Sequence, residues 1–161
     1  MPVIVSNSTP LIHLARIGEL DLLRDCFGKV LIPPAVYDEC VVQGKAYRDA
    51  QLIAQADWLE TLSVSDRNLV ILLNADLDRG ESEAIALALQ QQADLLLLDD
   101  AEGRSRARLY GLKHTGTVGI LLKAKRDGKL PSLRNALDAL QDTGFWLDNR
   151  LYRKLLQEAG E

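Results

Sequence analysis

The chain has 161 residues, enough for one well-packed core and short for two, and its 47% apolar content is that of an ordinary soluble protein. A net charge of −4 excludes a protein that coats nucleic acid by bulk charge, though not one with a local basic groove. No apolar run approaches the roughly 20 residues of a membrane span, and the amino terminus lacks a basic region followed by a signal-peptide core, so a cytoplasmic protein is expected. Cys26 and Cys40 have no CxxC spacing and read as buried free thiols rather than a disulfide or zinc pair.

Taken in chain order, Val3 to Ser6 reads as a first strand, after which Thr9 caps a helix opening with Pro10, where the missing N–H costs nothing. Leu11, Ile12, Leu14 and Ala15 supply its apolar face, and Gly18 ends it. Leu20, Leu22, Leu23 and Phe27 predict a second short helix before a strand at Lys29 to Ile32. Pro33 and Pro34 stop that strand and start a helix carrying Val36, Tyr37, Glu39 and Cys40. A polar helix follows from Ala46 to Ala54, then a weaker extended segment at Leu59 to Val64 and a helix from about Asp66 to Ala75. Gly80-Glu81-Ser82-Glu83 leads into Ala84 to Leu89, apolar on almost every side and therefore buried. Leu95 to Leu98 is the most apolar strand. Arg104 to Tyr110 reads as a helix capped by Gly111, Leu112 to Thr115 as a short strand, and Gly116-Thr117 opens a helix to Arg126. Helices at Leu133 to Gln141 and Asn149 to Ala159 complete the chain, the last read as packing on a partner. Strand alternating with helix, through connections too long for hairpins, predicts an α/β fold with a central parallel sheet between helical layers, one domain over 1–161.

Acidic or amide side chains follow one apolar run after another. Ligands of open α/β sheets collect at the carboxyl ends of the strands, so acids converging there would form a site for a hard cation such as Mg²⁺ or Mn²⁺. Carboxylates brought together repel one another without a cation, which makes such a cluster a poor stability device. Asp99 and Asp100 follow the Leu95–Leu98 run and are candidates for this site; capping of the next helix is the alternative for either. Glu81 and Glu83 open the buried helix, and their i,i+2 spacing points them apart, with Glu83 the preferred ligand. Glu39 lies on the helix after the second strand. Asn7 follows the first strand and can offer an amide oxygen but no charge.

Ser8, Thr115 and Thr117 lie in turns at helix starts, where hydroxyls suit phosphate and capping alike. Arg104 and Arg108 are one helical turn apart just after the acid pair, either a basic rim for a phosphate backbone or a solvated face. His13 and His114 are too few for a zinc site, and the chain has no Walker-type, dinucleotide-glycine or nucleophile-elbow pattern.

The segments Val5-Ser6-Asn7-Ser8-Thr9-Pro10-Leu11-Ile12, Ile32 to Glu39, Gly80 to Ala88, Leu96 to Asp100 and Thr115-Gly116-Thr117 together resemble the PIN-domain family, in its VapC-like branch. The resemblance covers nearly the whole chain. It implies an α/β/α sandwich, a Mg²⁺ or Mn²⁺ site, cleavage of single-stranded RNA, homodimers and a cognate antitoxin that blocks the site. Carried over residue by residue, the family's acids fall on Glu39, on Glu83 with Glu81 beside it, and on Asp100 with Asp99 beside it. The first acid falls on Asn7, and loss of that charge implies weaker ion binding. The expected function is therefore a metal-dependent endoribonuclease, the toxin of a toxin–antitoxin pair. The alternative is a non-catalytic RNA- or protein-binding module on the same fold. A phospho-acceptor receiver ranks below both, because receivers place their acid pair after the first strand, where this chain has Asn7.

Overall fold

The computed structural model describes residues 1–44 and 48–161. Five short parallel strands, β1 (Ile4–Ser6), β2 (Val30–Ile32), β3 (Leu59–Thr61), β4 (Leu95–Leu97) and β5 (His114–Thr115), form one sheet in the order β3-β2-β1-β4-β5. Val5 stands in register between Leu31 and Leu96, Leu31 pairs with Glu60, and Leu97 pairs with Thr115. β1, β2 and β4 are apolar except for the buried Ser6 that ends β1, because both faces of the inner strands are covered by helices, as a parallel sheet requires. The chain winds outward from β1 to β3, then returns to add β4 and β5 on the other side. The order of strands therefore reverses between β1 and β4, which opens a crevice outside their carboxyl ends.

Among the described residues, ten α-helices surround the sheet: α1 (Ser8–Arg16), α2 (Leu22–Phe27), α3 (Pro34–Tyr37), α4 (Arg48–Ala54), α5 (Arg67–Leu73), α6 (Arg79–Gln90), α7 (Ala101–Leu109), α8 (Thr117–Arg126), α9 (Leu133–Asp142) and α10 (Asn149–Glu158). One layer is built around α6, which packs on β1, β4, α3, α5 and α7; the other is built around α1 and α8, which meet α4, α2 and α9. The result is a three-layer α/β/α sandwich with one contiguous core, as the alternation of strand and helix predicts. α6 is buried from Ser82 to Ala88, as its apolar run requires.

Several boundaries differ from the sequence reading, each for a local reason. α1 begins at Ser8, so Asn7 is its N-cap residue and Thr9 lies inside the first turn. α7 begins three residues early, at Ala101, because Asp100 caps it. The third strand ends at Thr61, and α4 is described only from Arg48, so the predicted start at Ala46 lies outside the described residues. Asp38–Val42 forms a π-helical turn directly after α3. Cys40 is buried and Cys26 half-buried, both unpaired; burial pushes the Cys40 thiol up to about 12, which leaves it inert. α10 buries Leu155 and Leu156, while Leu151 on it and the preceding Trp146 are exposed. Among the described residues, no helix is long and apolar enough to cross a membrane.

Candidate active site at the sheet's switch point

The crevice between β1 and β4 gathers the first turns of four helices. Asn7 leaves β1 with its amide bonded to Leu97 O at 2.8 Å, continuing the sheet ladder, and is 3% exposed. No side-chain hydrogen bond caps α1, so Asn7 is not there to satisfy the helix. The next residue, Ser8, is buried and donates its hydroxyl to Glu39 Oε2 at 2.8 Å. Ser8 is thereby a brace for an acid rather than a hydroxyl facing solvent. Glu39 sits in the π-helical turn, where Gln43 N bonds Asp38 O five residues back and the wider turn re-aims the side chain. Its carboxylate lies against Gly80 in the first turn of α6, where a Cβ would run into Oε1. Burial pushes the Glu39 carboxyl above the ordinary range, against the hydrogen bonds it accepts from Ser8 and the Gly80 amide.

The two glutamates of α6 divide as the i,i+2 spacing requires. Glu81 completes a capping box with Asp78: its amide donates to Asp78 Oδ1 at 2.8 Å, and its Oε2 accepts from the Asp78 amide at 3.2 Å. Burial first, then the charges of Asp78, Asp100 and Glu39, push the Glu81 carboxyl up to about 7. Glu81 therefore belongs to the same acidic cluster as Glu39 and Asp100. Glu83 turns elsewhere. It is 2% exposed, its Oε1 accepts from the Ala35 amide at 3.1 Å, and its Oε2 faces Arg67 at 3.3 Å and Arg79 at 3.7 Å. The contacts give the two glutamates different surroundings: Glu83, the ligand preferred from the sequence, caps α3 and ties it to α5 and α6, while Glu81 lies in the field of Asp78, Asp100 and Glu39.

Asp99 and Asp100 also part. Asp100 accepts from the Gly103 amide at 2.7 Å and caps α7. Asp99 turns the opposite way, accepting from the Thr117 amide at 2.7 Å, the Thr117 hydroxyl at 2.6 Å and His13 Nδ1 at 3.1 Å. Burial raises the Asp99 carboxyl, but the hydrogen bonds from His13 and Thr117 outweigh it and hold the group below its ordinary value. The capping alternative is realised for Asp100, which keeps its second oxygen free of a hydrogen bond among the described residues, whereas Asp99 has both oxygens bonded. Thr117 is fully buried in this clamp, and Thr115 is half-buried in β5 with its hydroxyl against Gly119.

On the α7 face, Arg104 is half-buried, and its Nε is buried without a hydrogen-bond partner among the described residues; Arg108 is exposed. Burial, then the fields of Arg108 and Arg104, hold the His114 imidazole below its ordinary value. Sequence reasoning did not single out His13, Gly80 or Arg79 as parts of this centre. Gly80 preceding Glu81 was the available signal: a side chain there leaves no room for the acid of another helix.

No three of His, Cys, Asp and Glu among the described residues stand close enough to hold one ion as they are now hydrogen-bonded. In donor chemistry these residues fit a hard divalent cation: Glu39, Glu81 and Asp100 are carboxylate oxygen donors, the charges of Glu39 and Asp100 reach Glu81, and Asn7 adds an amide oxygen at the same crevice. A parallel α/β/α sandwich with carboxylates gathered at its switch point is a nuclease-type architecture. The chain belongs to the PIN-domain family, whose model matches residues 3–161. PIN domains are typically nucleases that use divalent metals, which places this chain among hydrolase-type folds at that level. No curated protein matches the chain.

Proposed function

We propose that the protein is a metal-dependent endoribonuclease acting on single-stranded RNA, the toxin of a toxin–antitoxin pair. The observation that supports this most is that Glu39, Glu81 and Asp100 lie within one another's fields beside the carboxyl ends of β1 and β4, where burial first, and then the charges of Asp78, Asp100 and Glu39, push the Glu81 carboxyl up to about 7. Glu39, Glu81, Asp100 and the Asn7 amide oxygen would hold Mg²⁺ or Mn²⁺. A bound cation supplies positive charge against the phosphate and favours ionisation of water. The protein's own residues do the rest of the positioning. Ser8 and the Gly80 amide orient Glu39; the Gly103 amide orients Asp100; Glu83 secures α3, from which the Glu39 turn departs. Arg104 and Arg108, with no carboxylate partner among the described residues, supply phosphate contacts beside the cluster. A homodimer and a cognate antitoxin covering the site belong to the same reading, with the exposed Trp146 and Leu151 near α10 available to a partner.

Calorimetric titration with Mn²⁺ of the native protein and of Asp100→Asn tests the site. The Asn oxygen still accepts from the Gly103 amide, so the variant keeps its α7 cap. Binding by the native protein that is lost in the folded variant, together with loss of RNA cleavage, is the expected result. Full cleavage by a folded Asp100→Asn protein would defeat the assignment.

The second reading, a non-catalytic RNA- or protein-binding module, is favoured by Asn7 alone. Asn7→Asp separates the two: metal binding and cleavage appearing only in the variant would establish a degenerate site, whereas activity in the native protein removes the motive for that reading.

A further inference from the structure

The His13–Asp99–Thr117 clamp fills both oxygens of a largely buried carboxylate, and neither the acidic cluster nor the proposed phosphate contacts use it. His13 stands on α1, less than two turns after Asn7, with its side chain 22% exposed. An ionised Asp99 has no hydrogen to give, which assigns the hydrogen of the 3.1 Å contact to His13 Nδ1. Thr117 Oγ1 also points at Asp99, at 2.6 Å, and lies 3.4 Å from the same Nδ1. That excludes a hydrolase-type triad: the hydroxyl is buried and donates to the carboxylate, not to the imidazole. The imidazole stands edge-on to Phe145, 5.1 Å between centroids, so its orientation is fixed on a second side by the segment between α9 and α10. Gly116 leaves the space that Asp99 fills, since a Cβ there would lie 2.5 Å from Oδ1.

The consequence lies one residue on. Asp99 and Asp100 share a peptide bond, and they hold the N-termini of different helices, α8 and α7. Whatever fixes Asp99 fixes the main chain from which the Asp100 carboxylate departs. We propose that His13 is a positioning residue: acting through Asp99, it joins the helix that begins beside Asn7 to the turn that carries Asp100, and so sets how Asp100 enters the acidic cluster. The importance of Asp100 for cleavage rests on the proposed function; the mechanical coupling of His13 to Asp100 does not.

The test replaces His13 by Phe, which keeps a ring against Phe145 and removes the hydrogen bond, and by Asn, whose amide N–H reaches the position of Nδ1. The first readout is hydrogen exchange at the Gly103 amide, which Asp100 caps, with the Asn7 amide on the β1–β4 ladder as a control for the fold. In His13→Phe, Gly103 protection is expected to fall roughly fivefold, the size of one net hydrogen bond, while Asn7 protection holds and His13→Asn restores most of the loss. The second readout is RNA cleavage, in which kcat falls in His13→Phe with KM little changed and recovers in His13→Asn. Unchanged Gly103 protection in a folded His13→Phe protein overturns the inference whatever the cleavage assay shows. So does a Gly103 loss that His13→Asn fails to restore. A fall in Gly103 protection with rescue by Asn, in a protein that neither binds Mn²⁺ nor cleaves RNA, sustains the coupling and removes the ribonuclease reading instead.

Discussion

Glu81→Gln removes a charge that burial first, and neighbouring acids second, make costly. Gln retains the oxygen that accepts from the Asp78 amide, so the capping box survives and only the charge is removed. In the native protein the carboxyl is pushed up from 4.5 to about 7, a rise that corresponds to at most about 3.4 kcal/mol against the ionised form. Glu81 is only half-buried, and solvent screening reduces the expected effect to about 1 kcal/mol. The sign follows from the direction of the rise. A carboxyl that binds its proton more tightly folded than unfolded loses stability as pH climbs from 4.5 through about 7. With chelator present, Glu81→Gln should therefore be about 1 kcal/mol more stable than the native protein at pH 8, roughly 2–4 °C in Tm, and the gap should close at pH 4. Urea denaturation followed by circular dichroism across that range measures it. Adding Mn²⁺ should narrow or reverse the order, because the native protein gains from binding in its folded state. A variant less stable than native at pH 8 in chelator, or a gap independent of pH, would refute the account of Glu81 as a crowded acid.

Glu83→Ala should cost about 2–3 kcal/mol in urea denaturation, since the buried Ala35 amide loses its acceptor and α3 its cap, while the exposed Arg67 and Arg79 contribute little; a cost under about 0.5 kcal/mol would show that Glu83 holds nothing together. Glu83→Gln, which keeps an acceptor for Ala35, should recover most of that loss. Asn7→Asp should raise Mn²⁺ affinity about tenfold in calorimetry by adding a charged oxygen ligand, and should destabilise the metal-free protein at pH 8. Gly80→Ala drives a methyl group into the Glu39 carboxylate, so Mn²⁺ binding should weaken several-fold in a protein that still folds; unchanged affinity would remove Glu39 from the ligand set.

The layers and strand sequence were legible because each inner strand is an apolar run too short for a helix, bounded by turn residues, with a helix between it and the next. Val30–Ile32 and Leu95–Leu97 needed no tertiary information. The placement of candidate site residues was legible, since Asn7, Asp99 and Asp100 follow strands that neighbour one another. Their individual tasks were not. Glu81 and Glu83 are chemically alike and two residues apart, and only the position of Ala35 on α3 decides which turns inward to cap it. Asp99 and Asp100 are told apart only once α8 packs beside β4 and brings Thr117 within reach. Ser8 and Thr117 illustrate the same limit, because a hydroxyl at a helix start is equally suited to phosphate and to a neighbouring carboxylate until the neighbour is in place. The π-helical turn that aims Glu39 has no composition of its own, and Asn7 displaced Thr9 as N-cap because the helix starts as soon as the strand ladder ends.

Each acid of the cluster rests against hydrogens of the protein itself: Glu39 against Ser8 and Gly80, Glu81 against Asp78, Asp100 against Gly103. Those N–H and O–H groups do, weakly and in pieces, what a dication does at a single point, so the ion-free molecule has no reason to collapse. The arrangement also sets a threshold on occupancy. An ion entering the crevice competes with hydrogen bonds already made, and carboxylates must swing from backbone to metal for full coordination. On the proposed reading, occupancy would follow the ambient concentration of divalent cation rather than saturate at trace levels, and withdrawal of the ion would return each side chain to a waiting donor. If the proposed ribonuclease reading holds, such a centre would switch off and on without unfolding.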